Sequence, residues 1–362
     1  AVTTTFSAGD RVTFDSTGAV SASVGVPSSV TASEIIVNAP SNYEFSGPGP
    51  ITTTGALIKR GIGTMTLGNS TANSFASGVS LEQGLLAVSV SGGTGSSPIK
   101  CRGGSLSLGP AVNSTIASPL VFESPTTISP MTQHTSSGDW VGVDQTITMG
   151  GNGSLWTVAG SWAGFSGRVQ YGGSSARIRI NGSTNTNFGS PVVAVDLGSG
   201  GGQIMNRNGA TISFGSIEST GTNTVLAGTQ TGSIATTYSI GALNSNTTFA
   251  GRITDGGNTT TNAPTNITKV GSGTWTLSGE GQHSGSTIVS QGALFVNGSF
   301  VMSPIRLAAS AVSIASGAVL GGSGSIAGVT TIESGATLMP GAAIGIVGTF
   351  TVGGGLALNG TT

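Results

Sequence analysis

The sequence predicts an all-β chain wound as a parallel β-solenoid, and three observations carry that expectation. Short alternating runs, among them Thr274-Trp275-Thr276-Leu277, Ser286-Thr287-Ile288-Val289 and Ala293-Leu294-Phe295-Val296, are separated by glycines. Threonine, valine and aromatic side chains suit a pleated, half-buried surface, and Gly271, Gly273, Gly285 and Gly292 admit turn conformations that bulkier residues resist. Second, Leu57 to Val88 repeats the pattern of Ile267 to Asn297. Lys59 matches Lys269 (269 − 59 = 210) and Gln83-Gly84 matches Gln291-Gly292 (291 − 83 = 208), the difference falling in the intervening turn. Third, the strand runs recur at roughly 20 to 25 residues without hairpin symmetry, which is solenoid spacing.

Taken in order, residues 1–56 hold strands around Val12-Thr13-Phe14 and Glu34-Ile35-Ile36-Val37, with a corner at Gly47-Pro48-Gly49-Pro50. Residues 57–88 form the first recognisable coils. Over 101–266 the repeat degenerates but its rhythm persists in Thr146–Met149, Leu155–Val158, Val169–Tyr171, Arg177–Ile180, Val192–Val195 and Thr211–Phe214, each a short run bounded by glycine. The Asn-Gly pairs at 152, 181, 208, 297 and 359 would in isolation suit antiparallel hairpins, but the repeat spacing decides for stacked coils. Ala308 to Ser316 is the one ambiguous helical run, and Gly317 ends it. The reading is a single elongated body over 1–362, with the second recognisable coils at 267–297 and closing coils at 298–362; about 22 residues per coil gives roughly 14 to 16 coils.

The pattern Lys-x-Gly-x-Gly-Thr-x-Thr-Leu-Ser-Gly, then Ser-Gly-x-Thr-x-Val, then Gly-x-Leu-x-Val-Asn resembles the autotransporter-associated β-strand repeat, or passenger-associated transport repeat, of large secreted bacterial surface proteins. The likeness is specific over Ile267 to Asn297 and degraded over Leu57 to Val88. Phe6 to Asp15, Ile240 to Asn244, Phe249 to Gly251 and Gly335 to Gly341 are similar to what flanks such repeats. The resemblance implies a right-handed parallel β-helix exported to the cell exterior, and it implies no catalytic residues.

Charged residues make up only 7% of the chain, 12 Lys+Arg against 13 Asp+Glu, far below the roughly one quarter of an ordinary soluble domain. That balance provides no electrostatic footprint for nucleic acid or anionic lipid, and no apolar run reaches membrane-spanning length. Weak mutual repulsion favours association between copies. The 36% hydrophobic content leaves enough to bury, so the chain should fold despite 62 glycines.

Candidate chemistry is sparse. His134 and His283 lack zinc-ligand spacing, and with one cysteine, Cys101, no structural metal site is expected; no cofactor is expected. His283 falls in the inter-strand turn, where the reading is a solvated side chain. Cys101 lies beside Lys100 and Arg102, which would depress an exposed thiol's pKa, but it reads as a small strand residue. Asp10, Asp15, Asp139, Asp144, Asp196 and Asp255 read as turn caps. The one concentration of charge is Asp139 and Asp144 with Arg168, Arg177 and Arg179; alternation puts Arg177 and Arg179 on one face, read as solvated rather than catalytic. Trp156, Trp162, Phe165 and Tyr171 read as packing rather than a sugar platform. Sequons at Asn69, Asn113, Asn246 and Asn266 leave glycosylation open.

The ends complete the reading. A solenoid terminus exposes unpaired N–H and C=O groups, and neither Val2 to Phe6 nor Phe350 to Leu358 looks capped. The expected function is therefore a secreted or cell-surface structural protein whose partners are copies of itself, joined head to tail through Val2, Thr4, Phe6, Phe350, Val352, Leu356 and Leu358. Surface glycans are a further candidate partner. The alternatives are a stalk fragment of an autotransporter-type adhesin and a secreted polysaccharide-active β-helix enzyme.

Overall fold

Parallel pairing governs the whole computed structural model, which describes residues 6–17, 21–109, 114–130, 133–151, 153–173, 175–181, 188–231, 233–256, 263–304 and 308–360. The chain is all-β, a β-solenoid of about 14 turns. Among the described residues the one antiparallel contact is a single bridge, Gly322 to Gly341. It divides into two units, Ala1–Phe165 and Ser166–Thr362.

In the first unit most coils lay a strand on each of three faces; the coil of Val79–Leu81 and Leu85–Val88 has none on the third. The first face runs through Arg11–Asp15, Glu34–Asn38, Leu57–Arg60, Val79–Leu81, Ile99–Cys101 and Leu120–Phe122. The second runs through Ser21–Gly25, Asn42–Gly47, Thr64–Asn69, Leu85–Val88, Ser105–Leu108 and Thr126–Pro130. Val30–Ala32, Ile51–Thr53 and Ser74–Phe75, and later Ser114–Ile116, His134–Ser136 and Leu155–Val158, make the third. Side chains alternate in and out along each strand, so residues in register stack into columns. Phe45 and Leu67 share one such buried column, and Leu86 and Leu106 another.

The expectation of strands about four residues long, bounded by glycine, fails at Trp140–Met149, which has ten. It pairs with the first face through Trp140 and with the second through Ile147. The corner is made inside the strand, where Asp144 takes a φ of 54°; Asp is one of the few side chains that tolerates left-handed backbone. Around its start lies an aromatic core. Trp140 stacks on Trp162 at 4.4 Å and on Trp156 at 5.1 Å, with Phe122 and Phe165 edge-on. Packing, not a sugar platform, is thus the role of Trp156, Trp162 and Phe165.

The second unit repeats the scheme. Its first face runs from Phe188–Asp196 through Thr211–Glu218, Thr236–Ile240, Thr265–Lys269, Thr287–Val289, Val312–Ile314 and Thr330–Ile332 to Leu356–Leu358. Thr247–Phe249, Thr274–Leu277, Ala293–Val296, Val319–Gly322 and Thr337–Pro340 stack on a second face. Arg177–Ile180 opens a third that ends at Thr351–Val352. Ala308 to Ser316 is not helical: its centre is the strand Val312–Ile314.

Outward positions of the first unit carry ion pairs between neighbouring coils. Arg11–Glu34, Arg60–Glu82 and Arg102–Glu123 each close at 2.6 Å. Exposed pairs contribute roughly 0.2–1 kcal/mol. Glu82→Gln is accordingly expected to cost less than about 1 kcal/mol, an effect that shrinks in thermal melts run at high salt.

Candidate functional site: the repeat lysines and the ladder ends

The two matched lysines do the same thing. Lys59 points inward, 1% exposed, and its Nζ donates to the carbonyls of Arg60 at 2.8 Å, Gly61 at 2.7 Å and Gln83 at 3.0 Å. Lys269, also 1% exposed, donates to Val270 at 2.7 Å, Gly271 at 2.8 Å and Gln291 at 3.2 Å. An ammonium has three donors, and all three are used. Two bind the lysine's own corner and the third binds the next coil. Burial lowers both groups to about 8, so they stay charged at neutral pH.

The glycines around them are steric requirements. Gly84 and Gly292 follow the third carbonyl with φ of 72° and 66°. A Cβ there would stand 2.3 Å from the Gly61 oxygen, or 2.5 Å from that of Gly271. An asparagine from the preceding coil completes each corner: Thr64 N–H donates to Asn42 Oδ1, and Thr274 N–H to Asn246 Oδ1, both at 2.8 Å. Residues 57–88 and 267–295 match the family model of the passenger-associated transport repeat.

The chain carries this repeat twice. No curated protein and no solved structure matches the chain. In both passenger-associated transport repeats the most distinctive side chain is committed to backbone carbonyls, which makes the motif a device for joining coils.

The other sequence-selected residues are scattered or structural. Arg168 reaches Asp196 and Glu218, each at 2.7 Å, while Asp139 accepts the Ser161 N–H at 2.9 Å. Arg179 is a correction to the solvated-face reading. It is 8% exposed, and burial, then the charges of Arg207 and Arg177, lowers its pKa. Asp10, Asp15 and Asp196 do cap turns, accepting N–H groups of Ser7, Thr17 and Gly198, whereas Asp255 is buried and accepts those of Thr265 and Ser284, which lie on other segments.

His283 is also corrected. The turn carries it inward, fully buried, against the edge of Phe300 at 5.3 Å. Its Nε2 lies 2.9 Å from Thr287 Oγ1, and Nδ1 has no partner among the described residues. Among the sequons, Asn69 is buried and donates to the Gly49 and Thr71 carbonyls, which closes it to modification in the folded chain; Asn113 lies outside the described residues.

Cys101 packs inward, and burial pushes its thiol up to about 12. Native protein is expected to resist a thiol reagent at pH 8 and to react fully once denatured, because the thiolate is the reactive form; a colorimetric thiol titration checks this.

Of the residues expected to join copies, Val2 and Thr4 lie outside the described residues. Phe6 is 44% exposed and lines an apolar opening of about 550 Å³ with Val12, Phe14, Val24, Val26 and Phe45. Phe350 and Val352 are half-buried, whereas Leu356 and Leu358 are 45% and 55% exposed. Sequence reading missed the neighbouring Ile344, Ile346 and Val347, whose exposures reach 96%.

Proposed function

We propose that the chain is an exported structural β-solenoid, secreted or held at the cell surface, that associates end to end with further copies of itself. The observation that carries this reading is the exposed apolar surface on the outermost described rungs. At one, inward-facing Val12 and Phe14 line an open apolar cavity; at the other, Leu356 and Leu358 continue columns whose earlier members Thr330 and Ile332 are buried, yet remain exposed themselves. Exposed apolar clusters mark interaction surfaces. A strand edge adds main-chain hydrogen bonds to that attraction.

The two transport repeats favour a second reading, a stalk section of a longer exported passenger whose recognition function lies elsewhere. Sedimentation over a concentration series, with electron microscopy, separates the two. Growth into fibres or oligomers supports self-association, and particles of one chain at all concentrations support the stalk. Under the first reading Leu358→Asp should weaken association at least 100-fold while the melting temperature stays unchanged, since the side chain is exposed in the free chain and a charge is costly to bury.

A further inference from the structure

The second unit carries a cleft that the transport repeats do not account for. It opens where one rung overhangs the next. Ser216, Ile217 and Glu218 pair with Ala194, Val195 and Asp196, but on the other side of the same strand the pairing to Thr236–Ile240 stops at Phe214. The chain turns away at Gly241, where φ is 118°, and meets the overhanging strand again only through the bridge of Phe249 to Ser219. The carbonyl of Ile217 accepts the Trp275 indole N–H at 3.0 Å instead of a strand amide. Between the overhang and residues 246–250 lies a space of about 570 Å³, lined by Asp196, Glu218, Thr220, Asn246, Thr247 and Thr248. Small-molecule sites are of this size, about 300–1,000 Å³.

The lining decides the class of ligand. Asp196 and Glu218 stand opposite each other on neighbouring strands, where like charges repel. Arg168 offsets this by donating to both from one Nη2, at 2.7 Å each. A guanidinium nitrogen thus fills the place between the carboxylates that a metal ion would take. Two carboxylates against one arginine also disfavour an anionic ligand.

The groups left over are hydroxyl partners. Among the described residues Glu218 Oε2, the hydroxyls of Thr220, Thr247 and Thr248, and Asn246 Nδ2 have no protein partner, and Thr220, Asn246 and Thr248 are exposed. A sugar hydroxyl both donates and accepts, and this set offers a carboxylate acceptor beside an amide donor and three groups that do either. Asn246 is held through its Oδ1 by the Thr274 N–H at 2.8 Å, and Glu218 by Arg168, so little order remains to be imposed on binding. We propose that the cleft binds an uncharged oligosaccharide, whose ring hydroxyls donate to Glu218 and accept from Asn246 and the threonines.

A printed array of neutral, uronate-bearing and sulfated oligosaccharides, probed with the full chain, tests the class. Calorimetric titration of the strongest neutral binder then tests the residues. Neutral glycans should be retained, and at least 10-fold more tightly than uronate-bearing or sulfated ones of equal length. Glu218→Gln and Thr248→Val should each weaken the titrated glycan at least 5-fold, while Thr331→Val, on an outward position of Thr330–Ile332, should leave it unchanged. Thr248 is exposed, so its substitution removes a hydroxyl without opening the core, and an unchanged melting temperature verifies this. Retention of no neutral glycan, preference for acidic ones, or full affinity in the Thr248 variant overturns the assignment. Loss of binding on chelation of divalent cations overturns the direct contact to Glu218. None of these results depends on whether copies associate end to end.

Discussion

Replacing Lys269 by methionine is expected to lower the stability of the second unit by about 3–5 kcal/mol, because it leaves three enclosed carbonyls without their donor. Methionine keeps the length of the apolar stem, so the loss isolates the ammonium rather than the packing. The carbonyls of Val270, Gly271 and Gln291 belong to two successive coils, and freeing them loosens both. Lys59→Met should do the same in the first unit. Arginine is not expected to rescue either site: its planar fork suits paired oxygens in one plane, whereas these three converge on one point. Lys100, on an outward position of Ile99–Cys101, provides the control. Lys100→Met should change stability by less than about 0.5 kcal/mol, as surface substitutions usually do. Hydrogen exchange localises the effect: protection should fall around residues 269–292 in the Lys269 variant, and unchanged protection there would show that the lysine is incidental.

The same lysines explain how much of the molecule was legible beforehand. Lys59 and Lys269, with their glycines at fixed spacing, reveal the coil because the corner tolerates almost no other residue: backbone oxygens fill the space a Cβ would need at Gly84 and Gly292. Strand runs such as Leu155–Val158 are visible because alternation is a local property. Corners were less readable. Asn42 stands 22 residues before Thr64, but Asn246 stands 28 before Thr274, so their shared role has no common spacing in sequence. Which way a turn residue points depends on the coil above it, and for that reason His283 was read as solvated. Exposure at the ends was equally hidden. Ile344, Ile346 and Val347 have the composition of a core strand, and only their exposure among the described residues distinguishes them.

The buried histidine is expected to make the second unit acid-sensitive. Desolvation by burial lowers His283 to about 4, against the counteracting charge of Asp255, while in the unfolded chain it returns to about 6.5. Asp255 is itself buried and already accepts the Thr265 and Ser284 N–H groups. Between pH 6.5 and 4 the unfolded chain therefore binds a proton that the folded one refuses. Stability from this group is fully present above pH 6.5 and is lost progressively as pH falls toward about 4, amounting to about 3 kcal/mol at the acid end. The oxygen network around the ring offers the added proton no acceptor at Nδ1, which has no partner among the described residues; Nε2 faces Thr287 Oγ1, which is shared with Ser310 Oγ at 2.8 Å. His283→Gln preserves a polar contact to Thr287 and cannot titrate. Its denaturation midpoint, followed from pH 7.5 to 4, should decline less steeply than that of the unmodified protein. Parallel decline in the two would assign the acid sensitivity to carboxylates elsewhere and remove His283 from the account.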